Sequence, residues 1–204
     1  FFRENHHFAM LAAHVRKHAH QHRPLRIWCS ASSTGEEPYS LAMTVIEALD
    51  SFTPAVEIIA SDIDTGVLSV ARNGIYPEER IELLEPARKK RFFLRGKGGQ
   101  SGKVRVRPEL QALIEFRQIN LLDSDWGIEP GLDVIFCRNV MIYFNQQTKS
   151  ELLARLGQPT AVHRLADGEG ALRRQVRGQF GPEVLVRHII GLDPARKGVA
   201  IAEH

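Results

Sequence analysis

Six small residues, Ser30-Ala31-Ser32-Ser33-Thr34-Gly35, stand directly before a helical pattern that opens with Glu36 and Glu37. Small side chains let backbone amides approach a ligand closely at a helix start. A second segment, Ser61-Asp62-Ile63-Asp64, ends an apolar run in acid. A carboxylate there accepts hydrogen bonds from both hydroxyls of a ribose, which suits a nucleoside. The two aspartates fit loop acids or a helix N-cap equally well, and the spacing leaves these readings open. The G-x-G-x-x-G pattern of dinucleotide sites is absent, since Gly35 is the only glycine of the first loop.

Other constellations carry less chemistry. A phosphate loop ending at Lys103 would need glycine at 97, where Lys97 stands, and Ser or Thr where Val104 stands, so the segment reads as a hairpin turn. Six of the nine histidines precede Arg23. His14 and His18, four apart on a helix, could share a metal, but no Cys or acidic cluster accompanies them and no metal is expected. Cys29 and Cys137 sit in apolar runs without a nucleophile setting. Two such cysteines fit reduced thiols of a cytoplasmic protein.

The elements that must position these residues alternate. Phe8, Leu11, Ala12 and Val15 recur at helical spacing. Leu25–Cys29, Val56–Ala60, Leu113–Ile119 and Leu132–Cys137 read as strands. Glu36–Leu49, Thr65–Arg72 and Gln146–Leu156 read as helices. Tyr39, Ala42, Met43, Ile46 and Leu49 form one apolar stripe. Strands alternating with helices predict an α/β fold with a parallel sheet covered on both faces. In such sheets ligands bind beyond the carboxyl ends of the strands. Those ends are Ser30–Gly35, Ser61–Asp64, Asn120–Leu121 and Arg138–Asn139. Residues 77–112 interrupt the rhythm as a small antiparallel β insertion: a charged helix over Glu78–Lys90, then a hairpin of Arg91–Arg95 and Lys103–Arg107 around a glycine-rich turn.

The composition of the 204 residues, 43% hydrophobic and 25% charged, is that of a globular protein. No apolar run reaches the length of a membrane span, and the first residues lack the pattern of a signal peptide. A net charge of +3 is too small to argue for nucleic acid.

The segments FFRENHHF, ASSTGEEPYSLAM, ASDIDTGVLSVARNGIY, RFFLRGKGGQSGKVRVRPEL, INLL and DVIFCRNVMIYFNQQTK occur in this order. Together, from Phe1 to about Leu156, they resemble the chemotaxis receptor methyltransferases. These are S-adenosylmethionine-dependent enzymes that methylate glutamate side chains of chemoreceptors. The resemblance implies a Rossmann-like class I methyltransferase sheet. It places Arg3 near the methyl donor, Glu36 and Asp62 on it (Asp62 at the ribose), and Asn120 and Leu121 near the adenine. Arg138 and Asn139 would line the same cleft, and Tyr143 would face the reacting methyl. Arg3 and Tyr143 are the implied catalytic residues. The product is S-adenosylhomocysteine. The insertion is similar to the family's β-subdomain, where Arg95, Gly96, Lys97, Gly98 and Arg105 would dock the receptor, in some members through its C-terminal peptide. The implied protein is a cytoplasmic monomer that neither inserts into membranes nor binds nucleic acid.

The chemistry of the residues agrees. A glutamate carboxylate, with a reference pKa of about 4.3, is already a nucleophile at neutral pH and needs no general base. The protein must align carboxylate, methyl and sulfur. Two departures stand against the family pattern. Residues 1–24 read as the lead-in to a methyltransferase domain at 25–156, with the family's helical N-terminal domain mostly missing. Residues 157–204 match nothing of the family pattern, only Val184–Ile190 is strand-like, and a shifted reading frame or misjoined segment is the expectation there. Losing the family's closing strands would leave a sheet edge uncovered. The alternatives are an impaired module that binds donor or receptor without turnover, and a methyltransferase acting on nucleic acid or a small molecule.

Overall fold

A computed structural model describes residues 1–19, 23–156 and 189–190. In chain order the elements are α1 (His6–His18), β1 (Leu25–Ser30), α2 (Glu36–Leu49), β2 (Val56–Asp62), α3 (Thr65–Asn73) and β3 (Ile75–Pro77). A 3-10 turn at Glu78–Ile81 leads to α4 (Pro86–Phe92), β4 (Phe93–Arg95), β5 (Lys103–Val106), α5 (Pro108–Gln111) and β6 (Ile114–Gln118). After these come β7 (Val134–Cys137), α6 (Gln146–Leu156) and β8 (Ile189–Ile190).

The main sheet is parallel, with spatial order β6-β2-β1-β7-β8. The chain starts in the centre, builds outward through β2 and β6, then crosses back to β7. The order therefore reverses between β1 and β7, the switch point where open α/β sheets bind ligands. This is the parallel α/β sheet that the alternating pattern predicted, in the Rossmann-like form that the resemblance implied. Both faces are covered, which is why the strands read as continuous apolar runs. On one face Ile27, Ile58, Val134 and Phe136 pack with α1 and α2. On the other Trp28, Ile59 and Ile135 meet Leu152 and Leu156 of α6. Trp28 is fully buried, its ring nitrogen donates to Ser61 Oγ at 2.9 Å, and its ring lies 5.0 Å from that of Trp126.

The predicted helices and strands of the main sheet are found, with Leu132 and Asp133 preceding β7 rather than lying in it. Helix α2 differs from a one-sided stripe: Pro38 through Ile46 are all buried. It is enclosed by α1, the sheet and the insertion, and its inward hydroxyls bond to carbonyls one turn back, Ser40 to Glu36 at 2.6 Å and Thr44 to Ser40 at 2.8 Å.

The insertion departs from expectation in two ways. The charged helix over Glu78–Lys90 is broken into the 3-10 turn and α4. Glu85, held extended before Pro86 at φ −57° and ψ 143°, starts the second piece. The hairpin of β4 and β5 is joined by β3 on the far side of β5, giving an antiparallel sheet of order β3-β5-β4. Its inward residues Tyr76, Val104 and Val106 are buried, while Ile75, Leu94 and Arg105 share the outward face.

Among the described residues no helix is long and apolar enough to cross a membrane. The His14 and His18 rings stack 4.2 Å apart on α1, and His18 Nδ1 lies 2.8 Å from the His14 carbonyl. His20, His22 and residues 157–188 and 191–204 lie outside the described residues, and with them the reading-frame expectation. Of the strand expected at Val184–Ile190, Ile189 and Ile190 form β8, beside Ile135 and Phe136 of β7.

Candidate functional site

The carboxyl ends of β1, β2, β6 and β7 open on one side of the sheet. Beyond β1 the chain runs through Ala31 at φ 58°, Ser33 at φ 50° and Gly35 at φ 98°. The first two are left-handed without being glycine, a strain of about 1–2 kcal/mol per residue. The loop is held by Ser32 N–H donating to Ser61 O at 2.8 Å and Gly35 N–H donating to Ser32 O at 3.0 Å. Only glycine fits at 35, because a Cβ there would lie 2.8 Å from Tyr76 Oη and 2.9 Å from the Ala71 methyl. Tyr76 donates to the Thr34 carbonyl at 2.7 Å, so the β insertion clamps the loop from outside.

The two aspartates at the end of β2 and just beyond it separate. Asp64 is the N-cap of α3, accepting from Gly66 N–H at 2.6 Å and Val67 N–H at 3.4 Å. Asp62 turns to the first loop. Its Oδ2 accepts the Ser33 N–H at 2.8 Å and its Oδ1 the Asp64 N–H at 3.1 Å. Each oxygen has lone-pair capacity for one more donor, so the carboxylate retains the capacity to accept a pair of hydroxyls. Ser32 Oγ, buried in the same loop, has no hydrogen-bond partner. A polar cradle of small residues, an orphaned hydroxyl and a half-used carboxylate fit a nucleoside donor.

Glu36, in the first turn of α2, accepts from Thr34 Oγ1 at 2.6 Å and faces Arg80 of the insertion at 3.6 Å. Beyond β6, Asn120 closes a turn, accepting from Leu122 N–H at 3.0 Å and donating to Asp123 at 3.0 Å. Leu121 is buried beneath it. Beyond β7, Asn139 is left-handed at φ 57°, and Tyr143 is 80% exposed on a 3-10 turn at the rim. Arg3 is exposed, between Phe2 at φ 53° and Glu4 at φ 56°.

Arg138, which the resemblance places in the same cleft, has a side chain only 1% exposed. Its Nη1 donates to Glu37 Oε2 at 2.8 Å, and its Nη2 to Glu4 Oε2 at 2.8 Å and to the Arg3 carbonyl. Neither acid was singled out from the sequence as a site residue. No local signal marks them: Glu37 is one of two acids in the first turn of α2, and Glu4 follows Arg3 in an exposed segment. The arginine's hydrogen bond holds the Glu4 carboxyl below its usual range, whereas burial pushes that of Glu37 up. Burial also raises both thiols, Cys137 to about 11 and Cys29 well above its ordinary value, so neither is a nucleophile near neutrality. Tyr39, raised to about 12 by burial, stays a neutral donor to Ala71 O at 2.7 Å.

The receptor-docking candidates lie apart, on the insertion. Arg95 pairs with Glu78 at 2.8 Å. Lys97, Gly98 and Arg105 are exposed, and Gly96 N–H donates to Lys103 O at 2.9 Å.

The family profile described as CheR methyltransferase, SAM binding domain, matches residues 1–163. Chemotaxis protein methyltransferase 2 of Pseudomonas aeruginosa is 62% identical over 156 residues, covering 76% of this chain and 56% of that protein. The chemotaxis protein methyltransferases of Escherichia coli and Salmonella typhimurium are 48% and 47% identical over 155 residues, each covering 76% of this chain and 53% of the relative. The chain thus spans about half the length of the curated relatives it matches. A profile matched over most of the chain means that the chain belongs to the CheR methyltransferase family.

Proposed function

We propose that this domain binds S-adenosylmethionine at the carboxyl ends of β1, β2, β6 and β7 and directs its methyl to glutamate side chains of a chemoreceptor. Asp62 carries the reading: a carboxylate fixed by two backbone N–H groups at the end of β2, with capacity left for two hydroxyls. The loop at 30–35 and Glu36 would border the donor's polar end, and Asn120 and Leu121 its base. Arg3, Asn139 and Tyr143 would border the remaining side of the donor.

When bound, the donor supplies an electrophilic methyl on a sulfonium, and its demethylated product is S-adenosylhomocysteine. A substrate carboxylate, already anionic, would take that methyl without a general base, so no side chain of this chain has to move a proton. The chain's task is orientation and exclusion of water. Arg3 offers a cation to steer an incoming carboxylate, and Tyr143, exposed at the rim, offers a hydroxyl to hold it. The neutral, buried thiols do not compete for the methyl.

Arg95, Gly96, Lys97, Gly98 and Arg105, on the loop and outward face of the β insertion, are the proposed receptor contact, suited to an acidic surface or a C-terminal peptide. The relatives' shared description as chemotaxis protein methyltransferases supports a receptor as the substrate. Incubation with methyl-labelled donor and receptor cytoplasmic fragments tests this. The expected result is label in the receptor that alkali releases as methanol. Label in nucleic acid, or donor binding without transfer, would overturn the receptor reading.

A further inference from the structure

Between β6 and β7, residues 119–133 form neither helix nor strand. This loop leaves the carboxyl end of β6 through Asn120 and Leu121, and one side chain of α6 holds it. Arg155 Nη1 donates to the Leu121 carbonyl at 3.2 Å. Its Nη2 donates to the carbonyls of Asp123 at 2.6 Å and Ser124 at 3.2 Å. Among the described residues, every hydrogen bond of the Arg155 side chain goes to a main-chain oxygen of this loop. Its guanidinium carbon stands 4.0 Å from the centre of the Trp126 ring, a cation–π contact. Trp126 in turn donates from Nε1 to the same Leu121 carbonyl at 3.1 Å, and its ring lies 5.0 Å from that of Trp28. Trp28 shares one buried cluster with Leu152 and Leu156 of α6. The sheet and α6 therefore converge on the Leu121 carbonyl, one residue after Asn120. A planar guanidinium fixes the direction of its donors, which a rotating ammonium does not.

We infer that Arg155 is a positioning residue: by holding the carbonyls of Leu121, Asp123 and Ser124 it sets the main chain of residues 120–122 beside the base of the donor. It acts through that main chain. The inference rests on the proposed donor site and adds the residue that fixes the loop next to the base. A base is read by hydrogen bonds along its edge, which need partners held in place, and a loop without a helix or a ladder has few internal bonds to hold it. Removing Arg155 takes a donor from three carbonyls at once and frees the segment.

The test is a cycle between protein and ligand in the full chain. S-adenosylhomocysteine and S-inosylhomocysteine, whose base carries a carbonyl in place of the exocyclic amino group, are titrated into wild type and Arg155→Met. The variant is expected to bind the adenine ligand about 10-fold more weakly. Its loss for the inosine ligand is expected to stay below about 2-fold, because that base has already forfeited the contacts the loop sets. Equal losses for the two ligands, as a merely structural role would give, or an unchanged affinity for the adenine ligand, overturn the inference. Arg155→Lys keeps the charge and the stem without the planar fork, and it is expected to show the same selective loss should Arg155→Met fail to fold. Quenching of tryptophan emission by acrylamide, which needs no ligand, reads the brace directly. Trp28 is fully buried, so stronger quenching in the variant reports a released Trp126. Unaltered quenching overturns the brace. If wild type binds neither ligand but the quenching result holds, the donor site fails and the brace stands.

Discussion

The Ser33 backbone N–H donates to Asp62 Oδ2 at 2.8 Å, so the loop after β1 and the end of β2 are fixed to each other through the proposed ribose acceptor. One carboxylate therefore shapes the loop and would face the proposed ligand.

Replacing Asp62 by alanine removes two charge-assisted acceptor positions and frees the loop. Donor affinity is expected to fall on the order of 100-fold or more, since such hydrogen bonds are worth about 1.5–3 kcal/mol each. Calorimetry showing wild-type affinity for Asp62→Ala would refute the ribose assignment.

Gly35→Ala forces a Cβ against Tyr76 Oη and Ala71 at a backbone with φ 98°. A loss of about 2–4 kcal/mol in folding stability is expected from strain and overpacking together. Urea unfolding measures it, and a change below 0.5 kcal/mol, the usual span of an innocuous surface substitution, would show that the loop yields freely.

The candidate site is legible in the sequence where its residues lie along the chain, and illegible where its contacts run across it. The small-residue loop, Asp62 and the strand ends stand in contiguous runs whose type follows from burial on two faces. The ion pairs of Arg138 join residues 101 and 134 positions apart, and nothing local distinguishes Glu4 or Glu37 from surface acids. Strand β3 was missed for a similar reason. Three residues ending in proline carry no period, and they become a strand because β5 lies alongside. The break between Ile81 and Pro86 follows from Glu85-Pro86, which a charge pattern obscures.

Stability should depend on pH through Glu4. Arg138 lowers its folded-state pKa, so the carboxylate stabilises the fold above the unfolded value and that contribution is lost as pH falls through the folded one. Glu37, raised by burial, works in the opposite direction, its protonated form being favoured in the folded chain. Glu4→Gln is therefore expected to be less stable than wild type at neutral pH. The difference should narrow as pH drops below about 4.5. Urea midpoints across this range check it, and a gap that widens toward acid would contradict the assigned sign.

Tyr143→Phe removes a hydroxyl from a ring that is 80% exposed. Melting temperature and donor affinity are expected to stay at wild-type values, with methyl transfer to receptor falling on the order of 100-fold. Wild-type turnover would remove Tyr143 from the reaction.

The central claim is a preformed donor site in this chain. Calorimetric titration of the 204-residue protein with S-adenosylhomocysteine tests it most directly. The expected result is one saturable site per chain, lost in Asp62→Ala. A folded wild-type protein giving no saturable heat, with no protection of the amides at 30–36 on adding the ligand, would contradict it.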